Sequence, residues 1–313
     1  MPTYLIVLII LLGIIALFFL TCYVCFFITF YAPNSKKFHN ENAMPPGKIY
    51  EPFYDQIRLW KKENKTFKQE AVQITSFDGL KLRGVFYSLF ESAPIEIMFH
   101  GYRGSAGRDL CGGLQRCQRL GRNVLMVDQR AHSSSEGNVI TFGIKERYDV
   151  KSWAEYAYKR FGENTKLIIT GISMGASTVL MASSLDLPKT VVGVVADCGY
   201  SSPKEIIKTV IKKMHLPAWL FYPFVKLGGL IFGQFNIEET SPEQELKQSK
   251  LPVLLIHGDT DDFVPCEMSR VNERACSTVC ALHVFKGAGH GASYLIDPDR
   301  YVTVLKEFEK HYK

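Results

Sequence analysis

Residues 166–182, KLIITGISMGASTVLMA, set a short apolar run, a glycine-bracketed serine and a small-residue segment in direct succession. The run from Leu167 to Thr170 predicts a buried strand. Gly171-Ile172-Ser173-Met174-Gly175 fits a G-x-S-x-G turn that presents a serine between that strand and a helix starting near Met174. A side chain at 171 or 175 would collide with the adjacent strand and helix, which accounts for the glycines. Such a turn leaves the Ser173 hydroxyl above the sheet, and the helix N-terminus aims backbone N–H groups at any oxyanion that develops there. On its own the pattern also fits an ordinary turn between glycines, so its meaning depends on partners elsewhere in the chain.

Strand and helix signals alternate on both sides of this unit. Glu70 to Phe77 and Leu80 to Leu89 flank Asp78-Gly79, a hairpin signal. Pro94 to Phe99 predicts a strand emptying into His100-Gly101-Tyr102-Arg103-Gly104-Ser105, followed by a helix around Asp109 to Leu120. Further strands are predicted at Val124 to Val127, Val191 to Ala196, Leu251 to Ile256 and Ala281 to Phe285, with helices at Ile144 to Phe161 and Tyr301 to Tyr312. This alternation predicts an α/β fold with a mainly parallel central sheet and flanking helices. Residues 200–250 interrupt it. Helical segments such as PKEIIKTVIKKM, the bulky Trp219, Phe221, Tyr222 and Phe224, and the glycine-rich stretch 227–233 read as a helical cap inserted above the C-terminal edge of the sheet. Whether those aromatics build the cap's own core or meet a substrate is open at this level.

With 313 residues the chain can bury a large core, and one catalytic domain is expected over residues 50–313. The formal net charge of +6 is modest and dispersed, which argues against a nucleic-acid partner and suits a negatively charged membrane surface better. The eight cysteines form no C-x-x-C pairs with matching histidines, and Cys22 and Cys25 sit inside an apolar leader. Reduced thiols and a cytoplasmic catalytic domain follow from that reading.

The leader departs from the soluble composition. From Tyr4 to Tyr31 there is no charged side chain, over more than the ~20 residues that cross a bilayer. Met1 to Thr3 lacks the basic residues of a signal peptide, and the end of the span is bulky, so a retained single-pass anchor over residues 1–33 is expected. A polar juxtamembrane linker is expected over residues 34–49. Lys36 and Lys37 on the C-terminal flank place the catalytic domain in the cytoplasm. Tyr50 to Phe67 reads as an irregular amphipathic helix packed on the domain or the membrane. Removal of Met1 to Tyr31 is expected to release a soluble domain.

The carboxylate and imidazole that Ser173 needs occur downstream in the order Ser, Asp, His, and all three can lie on loops at the C-terminal ends of neighbouring strands. Asp261 falls in a strand-following G-x-x-D-x-x-V-P loop and is the candidate acid, with Asp259 and Asp262 as close competitors. It would orient His290, within Gly289-His290-Gly291, which would take the Ser173 proton and return it to the leaving group. The N–H of Met174 follows the nucleophile directly, and the N–H of Tyr102 is the matching oxyanion donor from the other strand end. His100 is read as a loop-shaping group. Arg130 and His132 are read as braces of their loop through Asp128 or nearby backbone, and Tyr102 and Arg103 as either substrate-facing or ordinary loop residues.

Taken together, His100-Gly101-Tyr102-Arg103-Gly104, Asp128-Gln129-Arg130-Ala131-His132-Ser133, the Ser173 pentapeptide, the 258–265 loop and Gly289-His290 make the chain from about Tyr50 to Lys313 resemble the α/β-hydrolase superfamily. It is particularly similar to bacterial membrane-anchored, serine aminopeptidase-like hydrolases. The resemblance implies acyl transfer to Ser173 and hydrolysis, with water as second substrate and no cofactor or metal. Ala131 stands where many relatives carry glycine, which reshapes that loop but leaves the triad intact. Because the framework also serves esterases, lipases, thioesterases and amidases, the expectation is a carboxylic ester hydrolase acting on a small acyl ester. Peptide or amide hydrolysis is the enzymatic alternative, and a catalytically silent membrane-associated binding protein the alternative from another class.

Overall fold

The computed structural model describes residues 1–32 and 43–312. Lys36 and Lys37, which carry the orientation expectation, and most of the expected linker lie outside the described residues.

An eight-stranded sheet forms the centre, in the order β1-β2-β4-β3-β5-β6-β7-β8. Strands β1 (Gln69–Thr75) and β2 (Lys81–Tyr87) make the predicted hairpin, and Gly79 takes φ 89° in its turn, a conformation that favours glycine. Strand β2 also runs antiparallel to β4 (Asn123–Val127), whereas β3 (Ile95–Phe99), β4, β5 (Leu167–Ile172), β6 (Val191–Asp197), β7 (Val253–Gly258) and β8 (Cys280–Phe285) are parallel neighbours. Strands β3, β4, β6 and β7 are buried along their whole length, which explains why they read as mostly apolar runs, broken in β3 by Glu96, rather than alternating ones. The hairpin strands at the edge alternate instead.

The chain order reverses at β3, which lies between β4 on one side and β5 on the other. The loops leaving the C-terminal ends of β3 and β5 therefore diverge, and a crevice opens between them. One face of the sheet carries α5 (Glu146–Phe161) and α6 (Met174–Ala182), whose Trp153 and Leu180 are fully buried. Helix α12 (Pro298–Phe308) and helix α4 (Gly113–Leu120) contribute Leu305 and Leu114 to separate core clusters. Inside β3, Glu96 is fully buried between Arg116 and Arg122, the latter at 2.7 Å. Burial opposes its charge, but the two guanidiniums bring its pKa down to about 2.

Residues 200–250 hold three helices, α7 (Pro203–Lys213), α8 (Ala218–Phe232) and α9 (Pro242–Leu246), and no strand of the sheet. Ser202 and Ser241 cap the first and last by accepting from the N–H groups of Glu205 and Gln244. The N-terminal helix α1 (Thr3–Thr29) is a single apolar helix long enough to cross a membrane. Its last turns do not stand clear of the domain. Phe26, Phe30 and Ala32 are buried in one cluster with Phe142, Tyr200, Tyr222 and Val225. After α1, Tyr31 bridges to Val139, and the N–H of Ala32 donates to the Asn138 carbonyl at 2.8 Å. The boundary between anchor and domain expected from composition is thus crossed by core packing.

Tyr50 to Phe67 resolves into a 3₁₀ turn over Lys48–Phe53 and helix α2 (Tyr54–Asn64). The helix packs on the domain: Ile57 and Trp60 cluster with Cys111, and Trp60 stacks at 5.5 Å on Tyr294.

Candidate active site

Ser173 stands between β5 and α6 with φ 55° and ψ −119°, the strained turn that a strand-to-helix elbow requires. The flanking glycines are obligatory for the reason inferred from sequence. A Cβ at Gly171 would come within 2.2 Å of the Gly175 backbone, and one at Gly175 within 2.2 Å of the Phe99 carbonyl oxygen. Two backbone bonds pin the elbow: the Ser173 N–H donates to the Asp197 carbonyl at 2.8 Å, and its own carbonyl accepts from Ser177 N–H at 3.1 Å.

The structure brings Ser173, His290 and Asp261 into one line. His290 Nε2 lies 2.8 Å from Ser173 Oγ, and His290 Nδ1 lies 2.8 Å from Asp261 Oδ2. Asp261 is fixed from several sides: Oδ1 accepts from the N–H groups of Phe263 and Val264 at 2.9 Å each, and His257 Nε2 lies 3.2 Å from Oδ2. Burial opposes its charge, yet the hydrogen bonds from His257 and His290 hold the carboxyl well below the usual carboxylate range. The competing aspartates do other things. Asp259 accepts the Gly287 N–H at 2.6 Å and ties two loops together, and Asp262 is exposed at the cavity rim.

The loop after β3 closes against Ser173. A Cβ on Gly101 would lie 3.4 Å from the Ser173 Cβ. His100 is completely buried. Its Nε2 accepts from Gln129 N–H at 3.0 Å and its Nδ1 donates to the Gly101 carbonyl at 2.8 Å, so it shapes the loop. Asp109 accepts the Gly101 N–H at 3.2 Å and fills the space where Gly104 would otherwise carry a side chain. The N–H groups of Tyr102 and Met174 remain without a hydrogen-bond partner among the described residues, Met174 because it opens helix α6.

His132 braces the same loop: it accepts Arg103 N–H on Nε2 at 2.9 Å and donates from Nδ1 to the Arg130 carbonyl at 2.7 Å. Burial, reinforced by nearby His100, pushes its pKa well down, so it works as a neutral latch. The Arg130 side chain bonds to neither Asp128 nor nearby backbone, the two braces expected from sequence. It donates paired hydrogen bonds to Asp149 at 2.6 and 2.7 Å and to Asp78 at 2.8 and 3.0 Å, which joins the hairpin turn to α5. Asp128 instead holds the N–H of Ala106 and the hydroxyl of Ser134.

Tyr102 and Arg103 turn to α1. The Tyr102 hydroxyl donates to the Thr29 carbonyl at 2.7 Å, and Arg103 Nη2 donates to the carbonyls of Ile28 at 2.8 Å and Tyr31 at 3.2 Å. The Ile28 and Thr29 carbonyls are orphans at a helix C-terminus, where a cation is also favoured by the helix dipole.

A cavity of about 400 Å³ opens at Ser173 and His290. Tyr50, Trp60, Met98, Ile172, Phe263 and Tyr294 make it largely apolar, while no residue of 200–250 lines it. The cap aromatics therefore build cap core or face outward, and the arm around Tyr50 supplies the wall instead. Tyr50 also donates its hydroxyl to the His290 carbonyl, a contact that nothing in its local sequence announces. At the inner end, burial pushes the Asp197 carboxyl up to about 6, and Tyr301 donates to it at 3.0 Å.

No family model matches the chain. The uncharacterized protein YqkD of Bacillus subtilis is 27% identical over 191 residues, and the match spans 60% of this chain and 62% of that protein, just under two thirds of its length. The Pyrococcus furiosus esterase Pf2001 superposes with a TM-score of 0.63 at 26% identity, covering 80% of this chain and 93% of that one. The α/β hydrolase GrgF from Penicillium sp. sh18 superposes at 0.61 with 16% identity over 78% and 99% of the two chains, a likeness of fold alone. With its strand order, its elbow at the end of β5 and these structural neighbours, the chain has the α/β-hydrolase superfamily fold.

Proposed function

We propose that this protein is a serine hydrolase that cleaves carboxylic esters through Ser173, His290 and Asp261, held to a membrane by α1. The observation that carries the reading is the unbroken chain from Ser173 Oγ to His290 Nε2 and from His290 Nδ1 to Asp261, both links at 2.8 Å. In this reading Ser173 Oγ attacks the ester carbonyl carbon while His290 Nε2 takes its proton, and Asp261 stabilises the imidazolium that results. The former carbonyl oxygen is met by the N–H groups of Met174 and Tyr102. His290 returns the proton to the departing alcohol, and water repeats the sequence on the acyl-enzyme to release the acid. The apolar cavity suits a small acyl group, and the solved esterase at 26% identity supports an ester over an amide.

The domain plan that accompanies this reading is an anchor over 1–33, a linker over 34–49 and a hydrolase domain over 50–313 with its cap at 200–250. Lys36 and Lys37 favour a cytoplasmic catalytic domain. A fluorophosphonate probe tests the nucleophile: one covalent adduct is expected, located by peptide mass spectrometry at Ser173, and Ser173→Ala should abolish it together with turnover of p-nitrophenyl esters. An adduct at another serine, or unchanged turnover in the folded variant, would sink the assignment. Matched aminoacyl amides should turn over far more slowly than the esters.

A further inference from the structure

Helix α1 comprises 27 residues, about 40 Å at 1.5 Å per residue. Its C-terminal half is already occupied by α8. Phe18 meets Phe224 with ring centroids 5.7 Å apart, and Tyr23 meets Phe232 at 5.2 Å. Gly228 lies so close that a Cβ there would come within 2.5 Å of the Cys22 carbonyl oxygen. Contact positions rise together along both helices, so the two run parallel, and the first turns of α8 reach past Phe18 towards the N-terminal end of α1.

The portion of α1 ahead of Phe18 is roughly 15 residues, about 22 Å. That is shorter than the ~30 Å hydrocarbon core of a bilayer. A crossing α1 therefore carries its α8-bearing half into the membrane, and α8 must enter the leaflet with it. The outward face of α8 fits that surrounding. Trp219 is 79% exposed, and Leu220, Leu230 and Ile231 are exposed too, as are Met214 and Leu216 in the turn before the helix. Lys226, the single charged residue of α8, reaches across to Glu238.

We infer that α1 and α8 form one membrane unit, in which α8 runs beside α1 into the domain-side leaflet and its exposed apolar face meets lipid. The inference rests on reading α1 as a membrane segment. It selects a bilayer over a second protein surface because the apolar exposure of α8 continues that of α1 without interruption, so whatever covers one covers the other.

Tryptophan fluorescence of the full chain in liposomes tests this, because Trp60 and Trp153 are 9% and 0% exposed and Trp219 dominates any environment-dependent signal. The Trp219→Phe variant supplies the difference spectrum. In vesicles of phosphatidylcholine and phosphatidylglycerol, Trp219 should emit to the blue of a water-exposed indole. It should lose most of its emission when the lipids are brominated on their acyl chains, and it should resist aqueous iodide. Quenching by iodide with no effect of brominated lipid overturns the inference, and so does protection from both quenchers, which would mean a second copy of the chain covers α8. Alkaline extraction separates the two readings. A chain that washes off defeats the membrane reading of α1 itself, whereas a retained chain with unquenched Trp219 defeats the role of α8 alone.

Discussion

The proposed triad and the loop beside it sit next to each other but are secured in different ways. Ser173, Asp261 and His290 follow β5, β7 and β8, and each is fixed by bonds to adjacent strand ends or to its own turn: Ser173 to Asp197, Asp261 to Phe263 and Val264. The loop carrying Tyr102 and Arg103 is braced from inside by His132 and Asp109, yet its outer side chains end on the last carbonyls of α1, more than seventy positions earlier. The first arrangement makes the proposed nucleophile a property of the sheet. The second makes the proposed oxyanion side depend on a helix that composition alone assigns to membrane attachment.

The sharpest break of this comparison lies within the proposed triad. Asp261→Asn should keep the fold but lower kcat by about 10⁴-fold, the loss known for the orienting aspartate of serine proteases. Asp259→Asn should cost far less, since Asp259 only ties the 258–265 loop to Gly287, and Asp262→Asn should cost least. Steady-state kinetics on the three folded variants decide the matter. A severe loss at Asp262 with a mild one at Asp261 would mean that the acid is misassigned.

Next in size is removal of α1. Deleting residues 1–31 takes Phe26 and Phe30 out of a shared core, and burial of each such side chain contributes about 1.5–3 kcal/mol. It also removes the acceptors of Tyr102 and Arg103. If the oxyanion side relaxes, kcat should fall by up to about 10²–10³-fold, the range for losing one oxyanion donor. Ser173 should still be labelled by a fluorophosphonate. A soluble truncated domain with full kcat would show that α1 is a tether and nothing more.

The same contrast separates what the sequence discloses from what it hides. The elbow, the 258–265 loop and Gly289-His290 announce themselves because each is a local pattern whose residues are needed by the turn that contains them. The mainly parallel sheet is legible for a similar reason, as β3, β4, β6 and β7 are mostly apolar runs buried on both faces. Tyr50 on the His290 carbonyl, Arg130 on Asp149 and Asp78, and Glu96 between two arginines are hidden, because each joins residues far apart in the chain and a lone Tyr, Arg or Glu looks like many others. The role of α1 is hidden most completely. Its apolar span describes what surrounds it and says nothing about the carbonyls at its end.

Arg103 gives the smallest effect and the cleanest separation. Arg103→Met keeps much of the side-chain length but withdraws the bonds to Ile28 and Tyr31, while the Arg103 N–H can still reach His132. Bonds from a charged donor are each worth about 1.5–3 kcal/mol at most, and less where solvent competes, so a loss of about tenfold in kcat is the reasonable scale. Since the guanidinium turns away from Ser173 towards α1, KM for a short p-nitrophenyl ester should hardly move. A residue that positions an oxyanion donor lowers kcat and kcat/KM together, whereas one that binds substrate raises KM with kcat intact. Arg103→Lys should recover part of the loss, because an ammonium can still meet one helix-terminal carbonyl. A rise in KM at constant kcat would turn Arg103 into a substrate contact, and unchanged kinetics would detach α1 from the chemistry.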